Sequence, residues 1–351
     1  MEKTMENFDE YLRQGEPDKT EKAKVWKTAI GLQQVDGLKP SKYLIEIAKQ
    51  NIEGDITIDD VKKRIDSYYQ QLPKNIGKTQ KDEDRTEEAD KVSARIAEML
   101  GEQTFTFSPA EYLSIHRRLF TGIYKFAGKI RDYNITKKEW VLNGETVLYA
   151  SAESLKATLE YDFGQERKFS YKGLNEQEII EHIAHFISNL WQIHIFGEGN
   201  TRTTAIFLIK YLQKLGFKHV NNDLFANHSW YFRNALVRAN YEDLSKGINR
   251  TEKFLIRFLS NLLLNGEYSL KNREMHILFD TAIDTVNPQT DTVNDTVYAL
   301  IKGDNKITAN VISERLKMSL SSVRRKIRAL KNNGKIERVG SDKTGYWRIT
   351  E

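Results

Sequence analysis

His194, Glu198, Asn200 and Arg202 fall close together in the stretch His194-Ile195-Phe196-Gly197-Glu198-Gly199-Asn200-Thr201-Arg202-Thr203-Thr204-Ala205. An imidazole titrates near neutrality, so His194 is suited to take a proton from a hydroxyl. Glu198 is the one acid of the stretch and has the hard oxygen donors that suit Mg2+ bridging phosphate oxygens. Gly197, Gly199 and Asn200 allow a tight turn and close approach of backbone to a ligand. A helix that begins near Thr201 would turn free amides and its positive dipole end toward an anion, and Arg202 in its first turn would add a forked cation. The chemistry these parts describe is phosphoryl or nucleotidyl transfer to a hydroxyl.

Two helices must hold this loop. On its N-terminal side Ile179, Ile180, Ile183, Phe186, Ile187, Leu190 and Trp191 recur with a helical period, and Ile206, Ile209, Leu212 and Leu215 do so after it. His182 and His185 on the first helix read as structural, and Phe186 and Trp191 as core. Upstream, Asn143-Gly144 lies between two β-prone runs over 140–149, which predicts a hairpin with a type I′ turn. In a helical domain such a hairpin would project. Val141, Leu142, Asn143, Gly144, Thr146 and Val147 would then offer an edge to an extended peptide.

The loop resembles the motif of the Fic family, H-P-F-x-[D/E]-G-N-G-R-x-x-R, at His194, Phe196, Glu198, Gly199, Asn200 and Arg202. The likeness extends over roughly residues 86–241. It implies a mainly α fold with a Fic-type helical core and a projecting β-hairpin flap. It also implies a protein adenylyltransferase that moves AMP from ATP to a Ser, Thr or Tyr hydroxyl of a target protein. On that resemblance His194 is the general base and Glu198 the Mg2+ ligand. Gly197, Gly199, Asn200, Thr201 and Arg202 are then nucleotide contacts, Phe196 anchors the loop, and the flap clamps the target segment. Three positions depart from the motif. Its proline is Ile195, its glycine after Asn is Thr201, and its second arginine, the γ-phosphate contact of the family, is Ala205.

Residues 1–72 resemble the small antitoxin-like helical module that accompanies many Fic domains. Its inhibitory helix ends in Glu followed by Gly or Asn, which Glu53-Gly54 matches, with Lys49 where that helix carries Ser or Thr. The resemblance makes Glu53 a restraint on activity. A Fic domain over 86–266 follows, then a polar connector from Asp284 to Asp291. The last segment, 290–351, resembles a bacterial winged helix-turn-helix, with Ser322, Arg324, Arg325 and Arg328 on its recognition helix and Lys343 and Arg348 on its wing.

Composition agrees with these assignments. Of the 351 residues 39% are hydrophobic and 29% charged, with five prolines, which describes a folded helix-rich chain. The absence of cysteine excludes disulfide scaffolds, thiol nucleophiles and Cys-ligated metals. The net charge is +5, yet residues 290–351 hold 13 Lys and Arg against 7 Asp and Glu, a balance of +6, so the remainder balances at −1. A basic end on a near-neutral body fits a polyanion at that end. Short apolar runs exclude a bilayer span, and the first residues lack a secretory pattern, so the expectation is a cytoplasmic chain. The expected cofactors are ATP and Mg2+. The expected partners are a target protein, DNA through the winged helix, and a second copy of the chain. The competing function is a DNA-binding regulator whose weakened Fic-like domain senses nucleotide.

Overall fold

The computed structural model describes residues 8–72, 78–217, 220–279, 292–316, 320–332, 335–339 and 345–350. The chain forms two compact units, Met1–Ile277 and Leu278–Glu351.

The first unit is helical. It opens with α1 (Asp9–Gln14), α2 (Pro17–Gly31), α3 (Lys42–Glu53) and α4 (Ile58–Gln71). Then come α5 (Lys78–Gly101), α6 (Pro109–Phe120), α7 (Leu155–Lys168) and α8 (Glu176–Ile193). It closes with α9 (Asn200–Lys214), α10 (Asp223–Ala239) and α11 (Lys253–Leu264). Side-chain caps start several of these helices where the sequence places a polar acceptor. Ser41, Thr57, Ser108 and Asn175 each accept an amide of the first turn, with reciprocal capping boxes at Thr57 with Asp60 and Asn175 with Glu178.

α9 is the centre of the unit. Every residue from Asn200 to Leu212 is buried, so this helix is covered on all sides, unlike the amphipathic α8 that leads to it. The N-terminal helices do not stand apart. Leu44, Ile47, Val61 and Ile65 belong to the same apolar core as Trp191, Phe196 and Phe207. A separate N-terminal segment ending at 72 was expected from the break at 73–77, which lies outside the described residues. The packing instead makes α1–α4 part of one body with the helices that follow.

α2 crosses α10 at Gly31, and there is no room for a side chain: a Cβ on Gly31 would lie 2.2 Å from the Ala226 Cα. Ser229 Oγ donates to the Gly31 carbonyl at 2.9 Å and Thr28 Oγ1 to the Asn222 carbonyl at 3.3 Å, which fixes the crossing. Directly after Gly31 the chain tightens into a 3-10 turn, Leu32–Asp36, closed by Gly37 in the left-handed region at φ 67°. This turn carries Gln33 and Asp36 to the N-terminal end of α9.

The second unit consists of α12 (Thr292–Gly303), α13 (Ala309–Arg315), α14 (Leu320–Asn332) and the antiparallel pair β1 (Ile336–Val339) and β2 (Tyr346–Ile349), in register Ile336 to Ile349 and Val339 to Tyr346. Val297, Ile301, Ile312, Val323, Ile327, Leu330 and Ile336 form its own core. The order is that of a winged helix-turn-helix, with the tip between the strands at 340–344 outside the described residues.

Gly31→Ala is expected to force α2 away from α10 and to destabilise the protein by about 1–3 kcal/mol, the usual cost of overpacking a tight contact. Chemical denaturation of the two proteins checks this, and an unchanged midpoint would show that the helices can separate freely.

Candidate active site

α8 ends at His194, which adopts a left-handed backbone at φ 49°, ψ 53°. A non-glycine residue pays about 1 kcal/mol for this conformation, so the surroundings must impose it. Arg131 does so. Its Nε donates to the His194 carbonyl at 2.8 Å and its amide to the Ile195 carbonyl at 3.0 Å, and the rest of its guanidinium reaches the carbonyls of Tyr133, Ala150 and Ile193. Arg131 is thus a buried bracket for the loop, recruited from the segment between α6 and α7.

The loop closes on itself further along. Asn200 accepts the Phe196 amide on Oδ1 at 3.1 Å and donates Nδ2 to the Phe196 carbonyl at 2.8 Å. The Phe196 ring lies flat on His116, with centroids 3.7 Å apart. His116 Nδ1 accepts the Gly128 amide at 2.8 Å, so its Nε2 carries the proton and donates to the Glu198 carbonyl at 3.0 Å. Burial holds this imidazole neutral and lowers its pKa to about 4. Gly199, at φ 79°, sits against Phe120, whose ring would be 2.4 Å from a Cβ there. Phe196 therefore anchors the loop as expected, while Asn200 staples it internally. Thr201 Oγ1 accepts the indole N–H of Trp191 at 3.0 Å.

The His194 side chain is almost wholly buried, yet neither ring nitrogen has a hydrogen-bond partner. Tyr149 covers it at 4.3 Å between ring centroids and Trp191 meets it edge-on at 5.2 Å. Burial, then the positive charges of Lys137, Arg233 and Arg131, hold its pKa well below the ordinary histidine value. Neutral imidazole with an open lone pair is what a proton acceptor requires. Glu198 lies on the more open side of the loop, and Lys137 Nζ contacts both of its carboxylate oxygens at 3.0 Å.

Arg202 is placed otherwise than the sequence suggested. Its side chain is 0% exposed and is enclosed by acids: Nε lies 2.8 Å from Asp36 and one terminal nitrogen 2.6 Å from Glu88. Gln33 accepts from it at 3.0 Å, Tyr124 at 3.3 Å, and the guanidinium lies over the Phe120 ring at 4.8 Å. Its terminal nitrogens donate within the fold, and its Nε faces Asp36 as an ion pair. Asp36 and Glu88 escaped the sequence reading because they stand 166 and 114 residues away from Arg202 in the chain, and Asp36-Gly37 looks like an ordinary turn.

Glu53, expected to restrain activity, lies at the end of α3. It stands beside Gly54 and pairs with Lys19 at 2.7 Å, and Lys19 and Tyr11 hold its pKa below the ordinary value. Ala205 is fully buried, so it offers nothing to a ligand.

The expected projecting hairpin at 140–149 is not a hairpin of strands. Residues Trp140–Leu142 form a 3-10 turn, followed by Asn143 at φ 54° and Gly144 at φ 88°. The positive φ values that Asn-Gly favours are present, but Val141, Leu142 and Val147 are buried in the core rather than lifted away from it. Asn143 and Gly144 are exposed at the tip and Thr146 is half-buried. Apolar β-branched residues beside the turn went to the core because burying them was worth more than a two-stranded ribbon on its own. Glu139, behind this turn, is buried against Arg233 at 2.7 Å, a pair from outside the loop that sequence reasoning also missed. His182, on Glu166 at 2.7 Å and flat on Phe169, is structural, as is His185 on Glu252.

In the second unit Arg324 and Arg328 are exposed on α14, opposite buried Val323 and Ile327. The side chains of Ser322 and Arg325, and Lys343, lie outside the described residues. Arg348 is exposed on β2 and pairs with Glu337.

The loop between α8 and α9 thus holds a buried neutral imidazole, His194, and a part-exposed carboxylate, Glu198. Residues 106–212 match the Fic/DOC family and residues 292–346 an HTH domain, so the chain contains a Fic/DOC-family domain followed by an HTH domain. It is similar to the protein adenylyltransferase VbhT of Bartonella schoenbuchensis, 26% identical over 200 residues, 51% of this chain and 39% of that protein. The match thus spans well under half of that relative. A crystal structure of a Fic family protein from Desulfovibrio desulfuricans G20 aligns over 98% of this chain and 93% of its own at 14% identity, with a TM-score of 0.41. Among the described residues no helix is long and apolar enough to cross a membrane.

His116 gives the site a pH signature. Its folded pKa lies below the unfolded value, so the native state binds fewer protons than the unfolded chain in between. Its contribution to stability is complete above about pH 6.5 and is lost as pH falls toward about 4, amounting to about 2 kcal/mol by pH 5. Unfolding midpoints of wild type and His116→Gln at pH 7 and pH 5 check this. The variant is expected to start less stable but to lose less on acidification, and parallel losses would remove His116 as the cause.

Proposed function

We propose that this chain is a protein adenylyltransferase, moving AMP from ATP to a hydroxyl on a target protein. The observation that carries the reading is His194: buried, neutral, with two unbonded ring nitrogens, in the same loop as the part-exposed Glu198 carboxylate. The match to the Fic/DOC family and to a relative named as a protein adenylyltransferase supports the same chemistry. In the transfer, His194 accepts the proton of the target hydroxyl while its oxygen attacks the α-phosphorus. The bond from that phosphorus to the bridging oxygen of the β-phosphate breaks, and pyrophosphate leaves. The amides at the start of α9 have no acceptor within the helix and face the developing charge. Tyr149 must swing off the imidazole for the hydroxyl to enter, which makes the segment around Asn143-Gly144 the cover of the site.

Glu198 is the side chain that would hold a divalent ion. A single part-exposed carboxylate suits Mg2+, which takes one or two carboxylates and completes its shell from phosphates and water. When bound, such an ion neutralises phosphate charge. The described residues contain no group of three His, Asp or Glu able to hold a metal by themselves, so the nucleotide must supply part of that shell.

The N-terminal restraint is reassigned from Glu53 to Asp36, with Glu88 beside it. As long as these acids enclose Arg202, its guanidinium is withheld from phosphate. Breaking a buried ion pair costs about 3–5 kcal/mol, which is enough to keep this arginine out of reach in the resting protein.

Incubation with ATP labelled on the α-phosphate, together with candidate targets, tests the reading. Label is expected on protein in wild type and lost by about 100-fold or more in His194→Ala, the scale of general-base removal. Asp36→Ala is expected to raise labelling. Label transferred equally by the His194 variant would reject the base, and label moving only from the γ-phosphate would reject AMP transfer.

The second unit favours a DNA contact through α14, supported by the HTH match and by exposed Arg324 and Arg328. Arg324→Ala/Arg328→Ala is expected to weaken duplex binding and to reduce its salt dependence, since each phosphate contact contributes to that slope. Gel-shift titrations at two salt concentrations would show this, and identical curves for both proteins would discard the DNA contact.

A further inference from the structure

Among the described residues, Arg202, Arg131, Arg233 and Lys137 stand around the α8–α9 loop or its His194, and their surroundings decide which can reach a bound anion. Arg202 is enclosed by Asp36 and Glu88 with no exposed side-chain surface. Arg131 spends its guanidinium on the carbonyls that hold His194 in its left-handed backbone. Arg233 grips Glu139 at 2.7 and 3.0 Å, and Glu139 is only 1% exposed, so releasing the arginine would strand a buried carboxylate. Lys137 differs from all three. Its side chain is 25% exposed, and its partner Glu198 is 43% exposed.

A part-exposed Lys–Glu pair contributes about 1 kcal/mol or less, so its ammonium can be redirected at small cost. A triphosphate, with several charged oxygens, competes well for it. The Lys137 backbone is meanwhile fixed, its amide donating to Thr146 Oγ1 at 3.2 Å, so the stem swings from a held point. The ammonium is also close enough to His194 to be, after burial, the largest contributor to its lowered pKa. It therefore acts on the His194 ring while contacting the part-exposed carboxylate of the same loop.

We propose that Lys137 is the phosphate-binding cation of this site. In the free protein Glu198 holds its ammonium, and on nucleotide binding the ammonium transfers to a phosphate oxygen, leaving the carboxylate free for a divalent ion. The proposal rests on the adenylyltransferase reading, and it assigns to a residue outside the motif the task for which Arg202 is enclosed and Ala205 unsuited.

Calorimetric titration of the full chain with ATP and with adenosine, in magnesium buffer, tests it. Lys137→Met is expected to weaken ATP binding by about tenfold or more, the loss of one charge-assisted hydrogen bond, with adenosine binding unchanged. Lys137→Arg is expected to recover most of the loss. ATP affinity unchanged in Lys137→Met, or ATP and adenosine weakened alike, would overturn the proposal in favour of a merely structural lysine. A wild-type chain that binds neither ligand would instead bring down the adenylyltransferase reading, and this inference with it.

Discussion

The ion pairs of Arg202 are the constraint on which the rest of the first unit depends. A guanidinium with no exposed surface is tolerable only with full compensation, and the compensating groups come from the turn after α2, from α5 and from the end of α6. A buried charge that draws partners from so many elements forces those elements together. It explains why the N-terminal helices share a core with the helices around the loop. The same arrangement ties the N-terminal turn to the first turn of α9 through the Asp36–Arg202 pair.

Around His194, a different economy operates. The backbone of His194 is held in an uncommon conformation by Arg131, and its ring is left without a partner among aromatic neighbours. Both features cost stability, and neither helps the protein fold. They are tolerated because the flanking helices bury large apolar faces, Phe196 and Trp191 among them, whose burial outweighs them. Burial, with the nearby charges of Lys137, Arg233 and Arg131, keeps the imidazole deprotonated. The imidazole is thus held neutral and covered by Tyr149.

The two units divide the electrostatics as well as the fold. The basic balance lies in residues 290–351, while the first unit balances its cations internally against Asp36, Glu88, Glu139 and Glu198. Charges in the first unit are positioned against one another, in contrast to exposed Arg324 and Arg328 on α14.

Local spacing was enough to read the two helices flanking the loop, the winged-helix order, and the loop that carries His194, Phe196 and Glu198. These are short-range properties: helical period, cap chemistry and motif register are written in adjacent residues. Tertiary structure alone decided what Arg202 would meet, that Lys137 would cover Glu198, that Glu53 would turn to Lys19, and that Val141, Leu142 and Val147 would sink into the core rather than project. Each of those outcomes is a competition between partners distant in the chain. Burial of apolar surface and pairing of buried charge settle such competitions only once the whole body has closed around them.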